Sequence, residues 1–225
     1  MVQIRILSTP RLSRVEDYHP SNPARLLVRA AAFLSCNGDP FRLTKHRIGM
    51  SKRAIHSGVR MGHVHLKVAD LGRALRFYHG VLGFEVTQRM GDSAAFLSAG
   101  GYHHHIGLNT WESQGGKAPA HGTTGLYHLA IVYPTQAALG DALRRLVEAN
   151  IPLEGAADHG VSEALYLRDP DGNGVELYWD RSQEQWPRDS AGNLAMYTRP
   201  LNLEKLLAAE GDDSPSKNLN KPAAD

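Results

Sequence analysis

The sequence has one cysteine, Cys36, among its 225 residues. A single thiol can form neither a disulfide within the chain nor a metal site built from several thiolates. Any metal that this chain binds must therefore be held by histidine, carboxylate or water.

Long apolar runs are also missing. No stretch approaches the roughly 18–20 consecutive apolar residues that a membrane-spanning helix needs. With 42% hydrophobic and 21% charged residues, the composition is that of a soluble globular protein. We therefore expect a cytoplasmic protein with no membrane partner.

The main body of the chain lacks an excess of positive charge. Residues 58–225 carry 15 Lys or Arg against 20 Asp or Glu, whereas residues 1–57 carry ten against three. A mildly acidic body argues against nucleic acid as a partner. The sequence also has no nucleophile elbow, P-loop or dinucleotide-binding fingerprint, so those enzyme classes are not indicated.

Residues 1–57 show no sustained periodicity and are interrupted by four prolines. We expect them to form a poorly ordered N-terminal extension. Their arginine-rich, acid-poor composition is faintly typical of a transit peptide, although translation from Met50 would explain the same stretch equally well. Residues 182–225 form a C-terminal segment, in which we expect a short helix followed by a disordered tail from Asp212.

Two segments between these ends follow the same pattern. In residues 62–113, an alternating strand (63–68) is followed by a helix over 71–83, for which Asp70 is the expected N-cap, and by three short strands. In residues 125–181, a strand, a helix beginning at Thr135 and three further strand candidates follow in the same order. Equivalent landmarks lie 65 to 69 residues apart: His63 and His128, Gly83 and Asn150, Gly107 and Glu176.

A repeat whose offset stays between 65 and 69 residues predicts two tandem βαβββ modules in an α+β fold. A single module has one curved mixed sheet with a helix on its convex side, so its concave face is uncovered. Two modules placed side by side would enclose a cleft between their sheets, which is where we expect the site.

Three residues in this plan have the chemistry of a metal site. His63 and His128 occupy equivalent first strands, and strand alternation places Glu176 on the face opposite Val175 and Leu177. Two imidazoles and one carboxylate form the facial triad of non-haem iron sites, which leaves positions open for substrate and oxygen. We predict that these three residues hold a metal.

These residues resemble a known family. HVHLKVADLGRALRFYHGVLGF, YHLAIVY, LYLRDPDGNGVELYWD and YTRPLNLEKLL are similar to the vicinal oxygen chelate superfamily, and within it to extradiol dioxygenases of the catechol-2,3-dioxygenase type. The resemblance covers residues 62–207. It implies Fe(II), or Mn(II) in some relatives, on the three predicted ligands, with a small aromatic diol and O2 as substrates and aromatic catabolism as the role.

The resemblance also implies an acid–base histidine in the stretch GYHHHIGLNTW. The family's position matches His104, whereas strand alternation favours His105, which shares a face with Gly107. We favour His104 because a loop or bulge at the strand entrance can re-aim a side chain, and we expect His103 to be solvated or structural. His159 and Tyr166 also match catalytic positions that contact a substrate oxygen.

Two other functions occur on the same fold. Glyoxalase-like isomerases or thiol transferases place a fourth protein ligand where this chain has Gly107, which has no side chain to ligate. A metal-free binding protein would not need His63, His128 and Glu176 to converge. Assembly into a homo-oligomer stays open, because the family often associates through sheet edges.

Overall fold

The computed structural model describes residues 54–209. In the first module, strands pair in the order β1-β4-β3-β2, with β1 parallel to β4 and the other pairs antiparallel. The elements are β1 (Val64–Lys67), α1 (Leu71–Leu75), β2 (Glu85–Met90), β3 (Ala94–Ser98) and β4 (Ile106–Asn109). The predictions for the tail from Asp212 and for residues before 54 lie outside the described residues.

The second module repeats this topology, with strand order β5-β8-β7-β6-β9 and β5 parallel to β8. Its elements are β5 (Leu129–Tyr133), α2 (Gln136–Glu148), β6 (Gly155–Asp158), β7 (Ser162–Arg168) and β8 (Gly174–Asp180). The short strand β9 (Arg199–Pro200) extends this sheet, and helix α3 (Leu203–Leu207) follows. The α+β fold with two βαβββ modules is confirmed.

Both long helical segments begin at the N-cap residues that the sequence indicates. The Asp70 carboxylate accepts from the backbone N–H of Arg73 at 2.7 Å, and the Thr135 hydroxyl accepts from that of Ala138 at 3.1 Å. The first helix differs from the prediction in its winding, because residues 76–81 form a π-helix. The N–H of Leu82 accordingly bonds the carbonyl of Phe77, five residues back, at 2.9 Å.

The inner faces of both sheets pack with the helices into one hydrophobic core. Alternation within each strand sends the apolar residues inward, as in β8, where Val175 and Leu177 are buried. In α3, Leu206 is buried while Leu203 and Leu207 are partly buried, as is Leu201 just before the helix. None of the helices within residues 54–209 combines the length and apolar character of a membrane span.

The modules meet through their helices and through the turn that joins β7 to β8. The hydroxyl of Tyr78, which is fully buried at the end of the first helix, donates to Asp169 at 2.9 Å. Arg73 and the N–H of Ala69 both bond Asp171 in the same turn. The helix side of each module therefore faces the junction, and the other face of each sheet points away from it.

The packing places the predicted site residues on two sheets. Apolar side chains of the helices and of both sheets belong to one hydrophobic cluster. The cavity beside His128 is lined by residues of the second module and by Thr198 of the C-terminal segment. The chain therefore has two outer sheet faces, and the predicted site residues are divided between them.

Candidate active site

His128 and Glu176 lie together on the outer face of the second sheet. His128 precedes β5, Glu176 lies in β8, and Nε2 of His128 is 2.9 Å from Oε2 of Glu176. Glu176 is partly buried, and its neighbours Val175 and Leu177 point into the core as predicted. Two of the three predicted ligands are therefore in contact.

Gly174 makes this approach possible. A Cβ atom at Gly174 would lie 2.1 Å from the carbonyl oxygen of Tyr127 and 2.9 Å from Cβ of His128. The preceding turn is tied to the carboxylate of Asp169, which accepts from the N–H groups of Asp171 and Asn173 at 2.9 and 2.8 Å. The sequence DPDGNG thus forms a tight turn and ends in a glycine that lets His128 lie against β8.

Tyr166 and His159 continue from Glu176 as one chain of hydrogen bonds. The Tyr166 hydroxyl donates to Oε1 of Glu176 at 3.0 Å and lies 2.7 Å from Nε2 of His159. Nδ1 of His159 lies 3.2 Å from both the carbonyl oxygen of Tyr197 and the hydroxyl of Thr198. We call His128, His159, Tyr166 and Glu176 the second half-site; with Thr198 at its edge, it borders a cavity of about 380 Å³.

The electrostatics of the second half-site favour a protonated phenol. Burial, followed by the nearby negative charge of Glu176 and the hydrogen bond to it, raises the pKa of Tyr166 above its ordinary value. The hydroxyl of Tyr166 is therefore a hydrogen-bond donor throughout the neutral range.

His63 and His104 lie on the outer face of the first sheet. Their ring centroids are 4.4 Å apart, and the ring of His104 also packs against Phe96 at 5.1 Å. The ring of His65 contacts Phe96 at 5.9 Å and Trp111 at 5.7 Å. We call His63, His65, Phe96 and His104 the first half-site.

The three consecutive histidines point in different directions. His104 faces His63, whereas Nδ1 of His105 lies 3.2 Å from the Ser98 hydroxyl and accepts from the N–H of Ala99 at 3.3 Å. His103 is exposed, and its Nδ1 lies 2.7 Å from that of His104. His104 and His105 both precede β4, and His104 is the one whose ring lies beside a predicted ligand.

Burial also affects these imidazoles. It lowers the pKa of His104, an effect to which the neighbouring His63 and His103 add. Burial and then His103 lower the pKa of His105 in the same way.

His65 lies on the outer face of the first sheet, opposite Gly107. It pairs with Gly107 across β1 and β4, and its ring lies over the glycine. A Cβ atom at Gly107 would lie 2.9 Å from Cγ of His65. The strand position at which a fourth ligand would project is therefore covered by an imidazole ring.

Among the residues that the structure describes, the three predicted metal ligands lie in two places. Among residues 54–209, no three side chains of His, Cys, Asp or Glu lie close enough together to hold a metal. His128 and Glu176 have the right donor atoms side by side, but His63 lies on the other sheet with His104. The three-residue ligand set stays a prediction, and the structure presents it as two parts.

Three supporting residues were not found from the sequence. Thr198 reaches His159 from 39 positions away, and Trp111 stacks on His65 from the end of β4. Arg181 holds Asp158, which precedes His159, at 2.7 Å and Glu163 at 2.6 Å. Of the three, only Trp111 had a local signal in the sequence, because it ends a stretch with the pattern of a strand. The contacts of Thr198 and Arg181 join residues that are far apart in the sequence, and no local pattern indicates them.

Comparison with known proteins establishes the family. Residues 60–177, just over half of the chain, match the Glyoxalase/Bleomycin resistance protein/Dioxygenase superfamily. The chain belongs to this superfamily, whose other name is vicinal oxygen chelate.

Two curated relatives of this chain are named as dioxygenases. The chain is 43% identical over 160 residues to a catechol-2,3-dioxygenase of Bacillus subtilis, covering 71% of this chain and 55% of the relative. It is 35% identical over 123 residues to biphenyl-2,3-diol 1,2-dioxygenase 3 of Rhodococcus globerulus, covering 54% of this chain and 63% of the relative. The chain thus spans a little over half the length of these curated relatives.

Among solved structures, the chain is similar to lactoylglutathione lyase from Agrobacterium tumefaciens. The identity is 24% and the TM-score is 0.44, with 55% of this chain and 96% of the other covered.

Proposed function

We propose that this protein is an extradiol dioxygenase, which inserts O2 into the ring of a small catechol-type diol. The proposed metal ligands are His63, His128 and Glu176, and the proposed catalytic residues are His104, His159 and Tyr166. The observation that carries the proposal is the chain of polar contacts His159–Tyr166–Glu176–His128, of which three members line one cavity. The names of two relatives, a catechol dioxygenase and a biphenyl-diol dioxygenase, support the same chemistry.

Fe(II) is the proposed metal, with Mn(II) as the alternative that the same ligands accept. Such an ion would supply the place where the diol and O2 are brought together. Metal-binding histidines and carboxylates are usually held by further hydrogen bonds, and Glu176 has such a bond from Tyr166. The donor set of the second half-site is therefore suited to two of the three ligand positions.

Tyr166 is proposed to orient the diol. Its hydroxyl donates to Glu176 and is close to His159, and its raised pKa keeps the proton in place. A protonated phenol can hydrogen-bond a substrate oxygen but is a poor base at neutral pH. Tyr166 would therefore hold the substrate in position and leave proton transfer to a histidine.

His159 is held in a single orientation by its neighbours. With Tyr166 donating to Glu176, the Tyr166 oxygen can accept from a proton on Nε2 of His159. Nδ1 can then accept from the hydroxyl of Thr198, or donate to the carbonyl of Tyr197 when the ring is protonated. His159 can thus carry an extra proton without losing its place, which suits a residue that contacts a substrate oxygen.

His104 is the proposed acid–base residue. It stands 4.4 Å from the ring of His63, whereas His105 is engaged with Ser98 and Ala99. A group that exchanges protons with a bound diol must lie next to the metal ligands, and His104 meets that condition through His63.

The test is oxygen consumption by protein that was purified without oxygen and loaded with Fe(II). Catechol and 2,3-dihydroxybiphenyl should each be assayed for O2 uptake and for the absorbance of the ring-opened product. We expect one O2 consumed for each ring opened, with metal-depleted protein and a Glu176→Ala variant as inactive controls. Protein that holds one metal per chain yet consumes no O2 with a broad set of vicinal diols would rule out the proposed reaction.

A further inference from the structure

We propose that Thr198 is a positioning residue of the second half-site. Its hydroxyl decides which ring nitrogen of His159 carries the proton, and the direction of the remaining hydrogen bonds follows from that choice. The inference rests on the proposed function, which gives the second half-site a metal and a diol to hold. Thr198 acts on them through His159 and lies beyond residues 60–177, which match the superfamily.

Residues 182–200, which we call the C-terminal strap, return to the second sheet beside His159. Strand β9 of the strap pairs with β6, which ends at Asp158. The N–H of Tyr197 donates to the carbonyl oxygen of His159 at 3.2 Å. Thr198 lies between these two attachments, so its position beside His159 is set by main-chain hydrogen bonds.

The residue that follows His159 is also packed against the strap. Gly160 lies so close to it that a Cβ atom there would be 2.7 Å from Cε1 of Tyr197 and 2.8 Å from Cγ of Pro187. The main chain at His159 is therefore fixed against the strap. The ring of His159 lies between the strap on its Nδ1 side and Tyr166 on its Nε2 side.

The neutral ring of His159 can carry its proton on either nitrogen. Nε2 is 2.7 Å from the hydroxyl of Tyr166. Nδ1 is 3.2 Å from two oxygens, the hydroxyl of Thr198 and the main-chain carbonyl of Tyr197. A proton on Nε2 donates to Tyr166 and leaves Nδ1 as an acceptor. A proton on Nδ1 donates to the strap and leaves Nε2 as an acceptor from Tyr166.

The hydrogen of Tyr166 goes to a different partner in each arrangement. Its hydroxyl lies 3.0 Å from Oε1 of Glu176 and has one hydrogen to donate. With the proton of His159 on Nε2, that hydrogen is left for Glu176, and the donors run in one direction from Thr198 to the carboxylate. With the proton on Nδ1, the bare Nε2 competes with Glu176 for the same hydrogen.

Thr198 favours the first arrangement because a hydroxyl can donate as well as accept. The carbonyl of Tyr197 can only accept, so without the hydroxyl the lone pair of Nδ1 would face the lone pairs of a carbonyl oxygen. The hydrogen bond from Thr198 replaces that repulsion with an attraction. One hydrogen bond between neutral groups shifts such a balance by about 2–10-fold.

The position of the proton on His159 tests the proposal directly. Nitrogen-15 NMR distinguishes a protonated from an unprotonated ring nitrogen, and it would be recorded on full-length, metal-free protein at a pH well above the ordinary imidazole pKa. The two signals of His159 would be assigned by their absence from His159→Gln. We expect the proton mainly on Nε2 in wild-type protein, and a shift of the population toward Nδ1 in Thr198→Val, which has a methyl group in place of the hydroxyl.

Two further variants serve as controls. Thr198→Ser keeps the hydroxyl and should keep the proton on Nε2. Thr123→Val removes a hydroxyl from an exposed loop, where it donates to the carbonyl oxygen of Ala120 at 2.9 Å. Its spectrum should show the wild-type signals of His159.

Metal binding gives a second test. Thr198→Val should lower Mn(II) affinity by about 2–10-fold, because Glu176 loses part of its bond from Tyr166, and Thr198→Ser should not. In Tyr166→Phe there is no hydroxyl to redirect, so adding Thr198→Val should cause no further loss. Losses that multiply in the double variant would contradict an action through His159 and Tyr166.

Two outcomes of the NMR experiment would overturn the proposal. A proton on Nδ1 in wild-type protein would mean that Thr198 does not direct the ring. A proton that stays on Nε2 in Thr198→Val would mean that another group, such as a water molecule, donates to Nδ1. Neither outcome depends on turnover, so the proposed reaction is judged separately by O2 uptake.

Discussion

The hydroxyl of Tyr166 donates a 3.0 Å hydrogen bond to the carboxylate of Glu176, its direct partner on the neighbouring strand. The bond joins a proposed substrate-contacting group to a proposed metal ligand, and both belong to strands whose inward side chains are locked in the core. The orientation of the carboxylate is thus set by the register of β7 and β8 and not by a flexible loop.

Removing that hydroxyl should weaken the site without unfolding it. We expect Tyr166→Phe to lower Mn(II) affinity or turnover by about 10–100-fold, the usual effect of losing a hydrogen bond to a metal ligand. Equilibrium dialysis and steady-state kinetics would measure the two effects. Tyr178→Phe is the control, because Tyr178 lies on the same face of β8 as Glu176. Its Mn(II) affinity and turnover should stay within a few fold of wild type. Equal losses in both variants would show that the bond from Tyr166 to Glu176 has no particular effect on the site.

The two adjacent histidines should behave differently when replaced. His104→Phe should retain Mn(II) and lose about 10²–10⁴-fold in turnover, the contribution of a positioned acid–base group. His105→Phe should keep most of its turnover but lower the free energy of unfolding by about 1 kcal/mol, because the bonds to Ser98 and Ala99 are lost. A turnover loss confined to His105→Phe would show that strand alternation identified the acid–base residue better than the family's motif.

Removing one buried hydroxyl at the junction between the modules should lower the free energy of unfolding. Tyr78→Phe removes the buried donor to Asp169 and should lower the free energy of unfolding by about 1–3 kcal/mol. Urea unfolding would measure the loss, with Tyr102→Phe, at 37% exposure, as the control. Unchanged stability of Tyr78→Phe would mean that the apolar core alone holds the modules together.

The ion pair between Asp158 and Arg181, beside His159, should make the free energy of unfolding depend on pH. Desolvation would raise the pKa of Asp158, but the hydrogen bonds from Arg181 and from the N–H of Gly160 outweigh it, so the pKa is lowered. A lowered pKa in the folded state stabilises the protein above the unfolded pKa, near 4, and that stability is lost as the pH falls through the folded value.

Asp158→Asn should therefore cost about 1–2 kcal/mol of unfolding free energy at pH 7, and the difference from wild type should shrink below about pH 4. Urea titrations of both proteins at several pH values would measure it. A difference that stayed constant down to pH 3 would show that the charge of Asp158 contributes nothing.

Local signals in the sequence were enough to predict the elements of the fold. Alternation in 63–68 and 174–180, the caps Asp70 and Thr135, and the constant offset between repeats correctly indicated two βαβββ modules. They did so because each depends on backbone geometry within a few residues. The pairing of His128 with Glu176 followed from the repeat and from strand alternation.

The arrangement of the modules could not be predicted in the same way. It depends on contacts such as Tyr78 with Asp169, 91 residues apart, which leave no periodic trace in the sequence. The same holds for Thr198 beside His159 and for Arg181 between Asp158 and Glu163. A pattern shows which face of a strand is buried, but not which other module covers it.

The closeness of Gly107 to the ring of His65 also bears on how this chain could evolve. A mutation that introduced a fourth ligand at position 107 would place its first side-chain carbon 2.9 Å from the imidazole of residue 65. A side chain at position 107 would therefore require the ring of His65 to move or to be replaced by a smaller side chain. The cost of a mutation at position 107 would thus depend on which residue stands at position 65.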